Sequence, residues 1–261
     1  MNVWAIANQK GGVGKTTTAV TLGGLASKSG LRTLLIDMDP HGSLTSYFGL
    51  DPDQINQSVY TLFQHKGQAV SPLIHQTNFD RLSLLPASTA LATLDRQLSS
   101  QDGMGLVIKR ALSALEGSFD HVLIDCPPML GVLMVNALAA CDQLIIPVQT
   151  DFLALKGLER MLRTLTMITR ARKAVIPHTI VATMFDRRTR AATQGLALLH
   201  DRYSKELWNG QIPVDTLFRE ASKAGIPLPL MAASSRGSRA YECLFDILIQ
   251  PKTYVRKAVA L

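Results

Sequence analysis

Residues 10–17 read Lys10-Gly11-Gly12-Val13-Gly14-Lys15-Thr16-Thr17, and they directly follow a short apolar run, Val3 to Ala7. Glycines at this density let successive backbone N–H groups turn inward around phosphate oxygens. The segment after them, about Lys15 to Lys28, has helical periodicity, so a helix N-terminus is aimed at the same phosphate. In such a loop the Lys15 ammonium reaches the β- and γ-phosphates, and the Thr16 hydroxyl ligates magnesium. The pattern G-x-x-x-x-G-K-[ST] is met except at its first glycine, where Gln9 stands.

Outward from this loop, short apolar runs alternate with longer helical segments. Leu31 to Asp37, Arg81 to Leu85, Val122 to Asp125, Leu144 to Val148 and Thr179 to Met184 read as strands, with a helix from Leu158 to Arg172. Their apolarity is continuous rather than alternating, which marks strands covered on both faces of a parallel sheet. The spacing predicts one doubly wound α/β domain over residues 1–261, a mostly parallel twisted sheet flanked by helices, with its ligand site at the carboxyl ends of the strands. Asp51 to Asn78 is polar and weakly periodic and reads as an excursion from the sheet.

Three carboxylates stand at strand ends. Asp125 closes HVLID, where a magnesium-orienting aspartate belongs in a phosphate-loop protein. Asp37 and Asp39, in DMDPHGS, close the second strand. One can support the metal's water shell while the other orients the attacking water.

Composition excludes other classes. Charged residues are 18% of the 261 and apolar types 47%, too apolar for a disordered chain. Cys126, Cys141 and Cys243 give no CxxC pair and no even framework, so a disulfide scaffold or zinc site is not expected, and Cys126 and Cys141 read as buried hydrophobes. The six histidines are scattered and read as surface or loop residues. Leu158, Met161, Leu162, Leu165 and Ile168 form a core-facing helical stripe. No signal peptide or spanning segment is expected, and a reducing cytoplasm fits. The net charge of +7 is uneven: residues 1–150 hold 9 basic and 11 acidic side chains, and residues 151–261 hold 18 and 9. An excess confined to the second part suggests a polyanionic partner for one surface.

KGGVGKTT (10–17), with a lysine at its first position, resembles the deviant Walker A motif of the ParA/MinD family of ATPases. DMDPHGS (37–43) resembles the family's D-x-D-P-Q-G/A, and VLIDCPP (122–128) its Walker B strand. LIIPVQTDFLALKGLERM (144–161), TMFDRRT (183–189), IPVDTLFREASKAGIPL (212–228) and SSRGSRAYECL (234–244) resemble its later segments, so the likeness runs nearly end to end. The resemblance implies a slow, partner-stimulated ATP hydrolase that uses ATP/ADP and Mg2+ and forms a homodimer around ATP. Lys10, Lys15 and Asp39 are then the catalytic set. Lys10 crosses to the partner's phosphates, and Asp39 is needed for hydrolysis. Gly11, Gly12, Val13, Gly14, Lys15, Thr16 and Thr17 wrap the phosphates, while Thr16, Asp37 and Asp125 serve the metal. Met184, Asp186, Pro213 and Asp215 fall where the family lines its adenine pocket.

Small members of this family bind DNA without sequence preference through basic side chains. Arg187, Arg188, Arg190, Arg219, Lys223, Arg236 and Arg239 are the candidates for a DNA or partner surface. The family's usual I-P-R-x-x-R-L, however, reads IPVDTLF, with Val214 and Leu217 at its two basic positions. His41 also replaces the usual Gln. Together with SLTSYFG, STALATLDRQ and FLALKGLERM, it resembles the ParC-type branch associated with bacterial chemotaxis, which implies a receptor-array cargo, a polar landmark and polar location. Chromosome or plasmid partition on the nucleoid is the alternative. MinD-like membrane association is a further one, not favoured by the tail QPKTYVRKAVAL (250–261), which has few bulky apolar residues. The chain opens at its first strand, so no added helix-turn-helix module is expected.

Overall fold

The computed structural model describes residues 1–64, 67–97 and 104–250. β1 (Asn2–Ile6) leads through the glycine loop into α1 (Lys15–Lys28), β2 (Thr33–Asp37) and α2 (Ser43–Tyr47). Then come α3 (Val59–Gln64), β3 (His75–Gln76), β4 (Leu82–Leu85), α4 (Leu91–Gln97), α5 (Val107–Ser113) and β5 (His121–Asp125). α6 (Val132–Ala140), β6 (Gln143–Gln149), α7 (Phe152–Arg172), β7 (His178–Phe185), α8 (Arg190–Tyr203) and β8 (Leu207–Pro213) extend the sheet. α9 (Leu217–Ala224), α10 (Leu228–Met231) and α11 (Arg236–Ile249) follow it.

The eight strands lie in the order β3-β4-β2-β5-β1-β6-β7-β8. Every pairing is parallel except β3 with β4. Successive strand residues face opposite sides, so each continuous apolar run feeds two cores. Val3 and Ala5 join one cluster with Leu34, Ile36, Val122 and Ile124 beneath α3, α5, α6 and α7. Trp4 and Ile6 join the other with Leu35, Leu123 and Ile145 beneath α1 and α11. α1 is buried along most of its length, because the sheet covers one side and α10 and α11 the other.

The expected helix at 158–172 begins earlier, at Phe152, and Leu158, Met161 and Leu165 are fully packed, with Leu162 and Ile168 at the core margin. Two strands were not expected. β8 is a half-exposed edge strand whose pairing with β7 shifts register twice, so its residues, LWNGQIP, carry no continuous apolar run. β3 is only two residues long and lies inside the polar excursion, which also contains α3, seated on Val59, Leu62 and Phe63. Cys126 and Cys141 are buried as expected.

The histidine expectation needs one correction. His121 opens β5 in the core, with its ring edge-on to Trp4 at 4.9 Å, and burial holds it below the usual imidazole range. His65 and the tail from residue 251 onward lie outside the described residues. Among the described residues no helix is long and apolar enough to cross a membrane.

Candidate nucleotide site

The glycine loop joins the carboxyl end of β1 to α1. Gly12 (φ +73°) and Gly14 (φ +91°) adopt left-handed conformations that a side chain would strain, which explains glycine at both positions. Gly14 is also the N-cap of α1. With no side chain to cap the helix, the first-turn N–H groups are left for an anion.

Neighbouring elements fix the loop's shape. The buried Asn8 amide donates to the Pro147 carbonyl at 2.7 Å, and its oxygen accepts from the Lys10 N–H at 3.1 Å. Thr183 Oγ1 on β7 donates to the Val13 carbonyl at 2.8 Å. Gln9, which stands in place of the first glycine, donates through Nε2 to Thr164 Oγ1 on α7 at 2.6 Å. α7 comes this close because residue 157 is glycine. A Cβ there would sit 3.0 Å from the Lys10 Cβ and 3.3 Å from Asn8 Oδ1.

Thr16, Asp37 and Asp125, expected to serve the metal, lie together in the structure. Asp37 and Asp125 are register partners at the ends of β2 and β5, and Thr16 Oγ1 donates to Asp125 Oδ2 at 2.6 Å. Asp37 Oδ2 accepts from the N–H and hydroxyl of Thr45 at 2.8 and 2.7 Å, and Asp37 Oδ1 accepts from the Asp39 N–H. Burial nevertheless pushes the Asp37 carboxyl up to about 6. Burial, reinforced by the Asp37 charge, raises Asp125 well above the usual carboxylate range.

Asp125 Oδ1 is buried without a hydrogen-bond partner. Two adjacent buried carboxylates, one oxygen orphaned, beside a threonine hydroxyl and a phosphate loop, are the donor set a magnesium ion satisfies. Magnesium is usually held by one or two carboxylates plus phosphate oxygens and waters. A self-sufficient protein cage is therefore not required, and none forms among the described residues.

Lys15 opens α1 nearly buried, with Nζ 3.4 Å from the Lys10 carbonyl. The Lys10 ammonium lies across the loop on Asp151, at 3.0 and 3.1 Å from its two oxygens, with Gln149 Oε1 at 3.4 Å. Asp151 also caps α7 by accepting from the Ala154 N–H. Side-chain exposures of 26% and 43% make this a surface-type pair worth well under ~1 kcal/mol, so a phosphate can take the lysine from it. Asp39 follows β2, its Oδ1 engaged by the backbone and ring of His41.

Of the four residues expected around the adenine, three lie together at one cavity. Met184, Pro213 and Asp215 line a cavity of about 510 Å³ that reaches Gly14 and Thr17. Met184 sits there in a left-handed conformation (φ +52°), its sulfur accepting from Gln149 Nε2. Asp186 is elsewhere. Its carboxylate accepts from Arg188 N, Nε and Nη2, which holds it well below the usual range, and it lines the adjoining cavity with Arg187 and Arg236.

All seven candidate surface cations are exposed. Arg187, Arg188 and Arg236 share the second cavity, while Arg219 and Lys223 line the first; Pro213 and Val214 border both. Five of the seven cations thus border these two adjoining cavities, even with Val214 at the usual arginine position.

Sequence reasoning missed Asn8, Thr45, Gln149, Asp151 and Thr183. Asn8, Gln149 and Asp151 had only their place at or just past strand ends as a signal, and Thr45 in α2 and Thr183 within β7 had none. TLLID and HVLID each end a strand on the aspartate, whereas in VQTD (148–151) the strand stops at Gln149 and Asp151 caps the next helix.

The AAA domain family model matches residues 1–177. The sporulation initiation inhibitor protein Soj of Bacillus subtilis is 35% identical over 238 residues, covering 91% of this chain and 94% of Soj. The chromosome partitioning protein ParA of Myxococcus xanthus is 34% identical over 249 residues, covering 95% and 88%. Among solved structures, cobyrinic acid a,c-diamide synthase from Mycobacterium smegmatis with bound ADP and magnesium superposes with a TM-score of 0.82. It is 34% identical, over 95% of this chain and 94% of that one.

Proposed function

The chain belongs to the ParA/Soj family of P-loop ATPases, and from that premise we propose that it is a magnesium-dependent ATP switch that positions DNA cargo. The observation that carries this reading is the convergence of Asp37, Asp125 and Thr16 beside the phosphate loop, with Lys10 loosely parked on Asp151 at its mouth.

Lys15 and the loop N–H groups hold the phosphates. Thr16, Asp37 and Asp125 serve the metal, which when bound neutralises phosphate charge. Asp39 orients the attacking water. Lys10 leaves Asp151 for the γ-phosphate bound by a second copy. A lysine supplied in trans stabilises the dimer only while that phosphate is present, so hydrolysis releases it. Asp39→Ala is expected to retain ATP binding and accumulate as an ATP-bound dimer in sedimentation, with turnover lost. Normal turnover in that variant would assign hydrolysis to another residue.

Asp151→Asn isolates the parking contact, because asparagine keeps the helix cap while removing the charge. Dimerisation with ATP should tighten about 2- to 5-fold, the equivalent of one exposed ion pair. Lys10→Ala should loosen it and spare ATP binding. An unchanged dimer in both variants would remove the trans role of Lys10.

The basic side chains Arg187, Arg188, Arg236, Arg219 and Lys223 around the two cavities, and the partitioning names of ParA relatives, support DNA rather than a receptor array as the cargo. Bound in this way, DNA affinity of the ATP form falls steeply and linearly in log salt. A flat salt response, with polar foci in cells, would favour the chemotaxis reading. The solved relative named for diamide synthesis shares the fold, but a parked lysine at the loop's mouth has a use in a dimer switch that a ligase does not require.

A further inference from the structure

We infer that His41 is a positioning residue for Asp39, fixing which carboxylate oxygen meets the attacking water. The inference rests on the reading of Asp39 as the hydrolytic aspartate.

Asp39 lies in the turn after β2, tied down by its own backbone. Its N–H donates to Asp37 Oδ1 at 3.1 Å, and its carbonyl accepts from the Gly42 N–H at 2.8 Å. Those bonds hold the main chain and leave the carboxylate free to rotate, since a terminal sp³–sp² torsion is broad. Two further bonds stop that rotation. Oδ1 accepts from the His41 N–H at 3.0 Å and lies 2.8 Å from His41 Nδ1. A carboxylate oxygen accepts, so Nδ1 is the donor. Oδ2 takes no hydrogen bond among the described residues and is the oxygen left for water.

The His41 ring has no other hydrogen-bond partner among the described residues, and its side chain is 80% exposed, against 15% for Asp39. An exposed ring whose one contact is a nearly covered carboxylate in the nucleotide site has little structural work to do. Loss of the ring leaves the backbone bond and frees the carboxylate to rock about it, which lowers the fraction of time Oδ2 is aligned. Ground-state contacts with ATP are untouched, so the loss falls on kcat rather than KM.

Asparagine places its amide nitrogen where Nδ1 stands, so His41→Asn should act like histidine and His41→Ala should not. Magnesium-dependent ATP turnover is measured on the full chain for His41→Ala, His41→Asn and Asp39→Ala, with ATP binding followed separately. Expected are a fall in kcat of about 5- to 10-fold in H41A, the worth of one ordinary hydrogen bond, KM within about twofold, and recovery of most turnover in H41N. If Asp39→Ala is inactive while H41A turns over like the parent, the role of His41 is overturned and that of Asp39 stands. Equal losses in H41A and H41N, or a rise in KM alone, also overturn it. Normal turnover in Asp39→Ala removes the hydrolytic reading itself, and this inference with it.

Discussion

Lys15→Ala is expected to weaken ATP binding about 100-fold or more, as removing one partner of a buried, hydrogen-bonded charge pair does. Lys15 is the only lysine that opens α1 from within the loop, and it is almost fully covered there. In the ligand-free protein its ammonium makes a single long contact, 3.4 Å to the Lys10 carbonyl. Burial penalises the charge, while its attraction to the buried Asp125 carboxylate offsets that penalty. With the two effects opposed, its substitution should move the thermal midpoint of the free protein little. The combination separates a lost ligand contact from general damage: calorimetric titration reports the affinity, and a melt without nucleotide reports the fold. Parent-like affinity in Lys15→Ala would mean that the loop is not the phosphate site, whatever the resemblance of its sequence.

That site was largely legible because its main parts are local in sequence. The glycines, Lys15 and Thr16 lie within one loop, and Asp37 and Asp125 each close a continuous apolar run. In a parallel sheet, register alone brings two such ends together. What stayed hidden was long-range or conditional. The Asn8 bond to Pro147 and the Lys10 bond to Asp151 span 139 and 141 residues, and neither partner belongs to a pattern that periodicity can detect. Asp186 shows a further local effect. Arg188, two residues away, donates to its carboxylate, and both line the adjoining cavity. β8 escaped because an edge strand with a solvent-facing side needs no unbroken apolar run, and bulges against β7 disturb even its alternation.

Asp125→Asn should stabilise the metal-free protein while abolishing its response to magnesium and ATP. Asp37 and Asp125 sit side by side, each essentially without exposure, and only Asp37 is well supplied with donors. Asp125 has one bond from Thr16 and one orphaned oxygen. Both carboxyls are raised above their unfolded value by burial, Asp37 to about 6. A raised carboxyl binds its proton more tightly in the folded state. The folded protein is therefore favoured at low pH and loses that advantage as pH climbs from about 4 through about 6. At neutral pH the pair is a net cost that a bound divalent cation removes.

Asparagine at 125 eliminates one of the two charges and can still meet Thr16. The expected gain is about 1–3 kcal/mol, the cost of a poorly satisfied buried polar group, or about 2–10 °C for a chain of this size. The fall in stability with rising pH should be shallower than in the parent. Added magnesium and ATP should raise the parent's melting midpoint and leave the variant's almost unmoved, because the mutation removes a metal-facing carboxylate. If Asp125→Asn is less stable than the parent without metal, the two carboxylates are structural partners and the pair is not a net cost. If it is more stable and still gains as much from magnesium and ATP, the metal is held elsewhere.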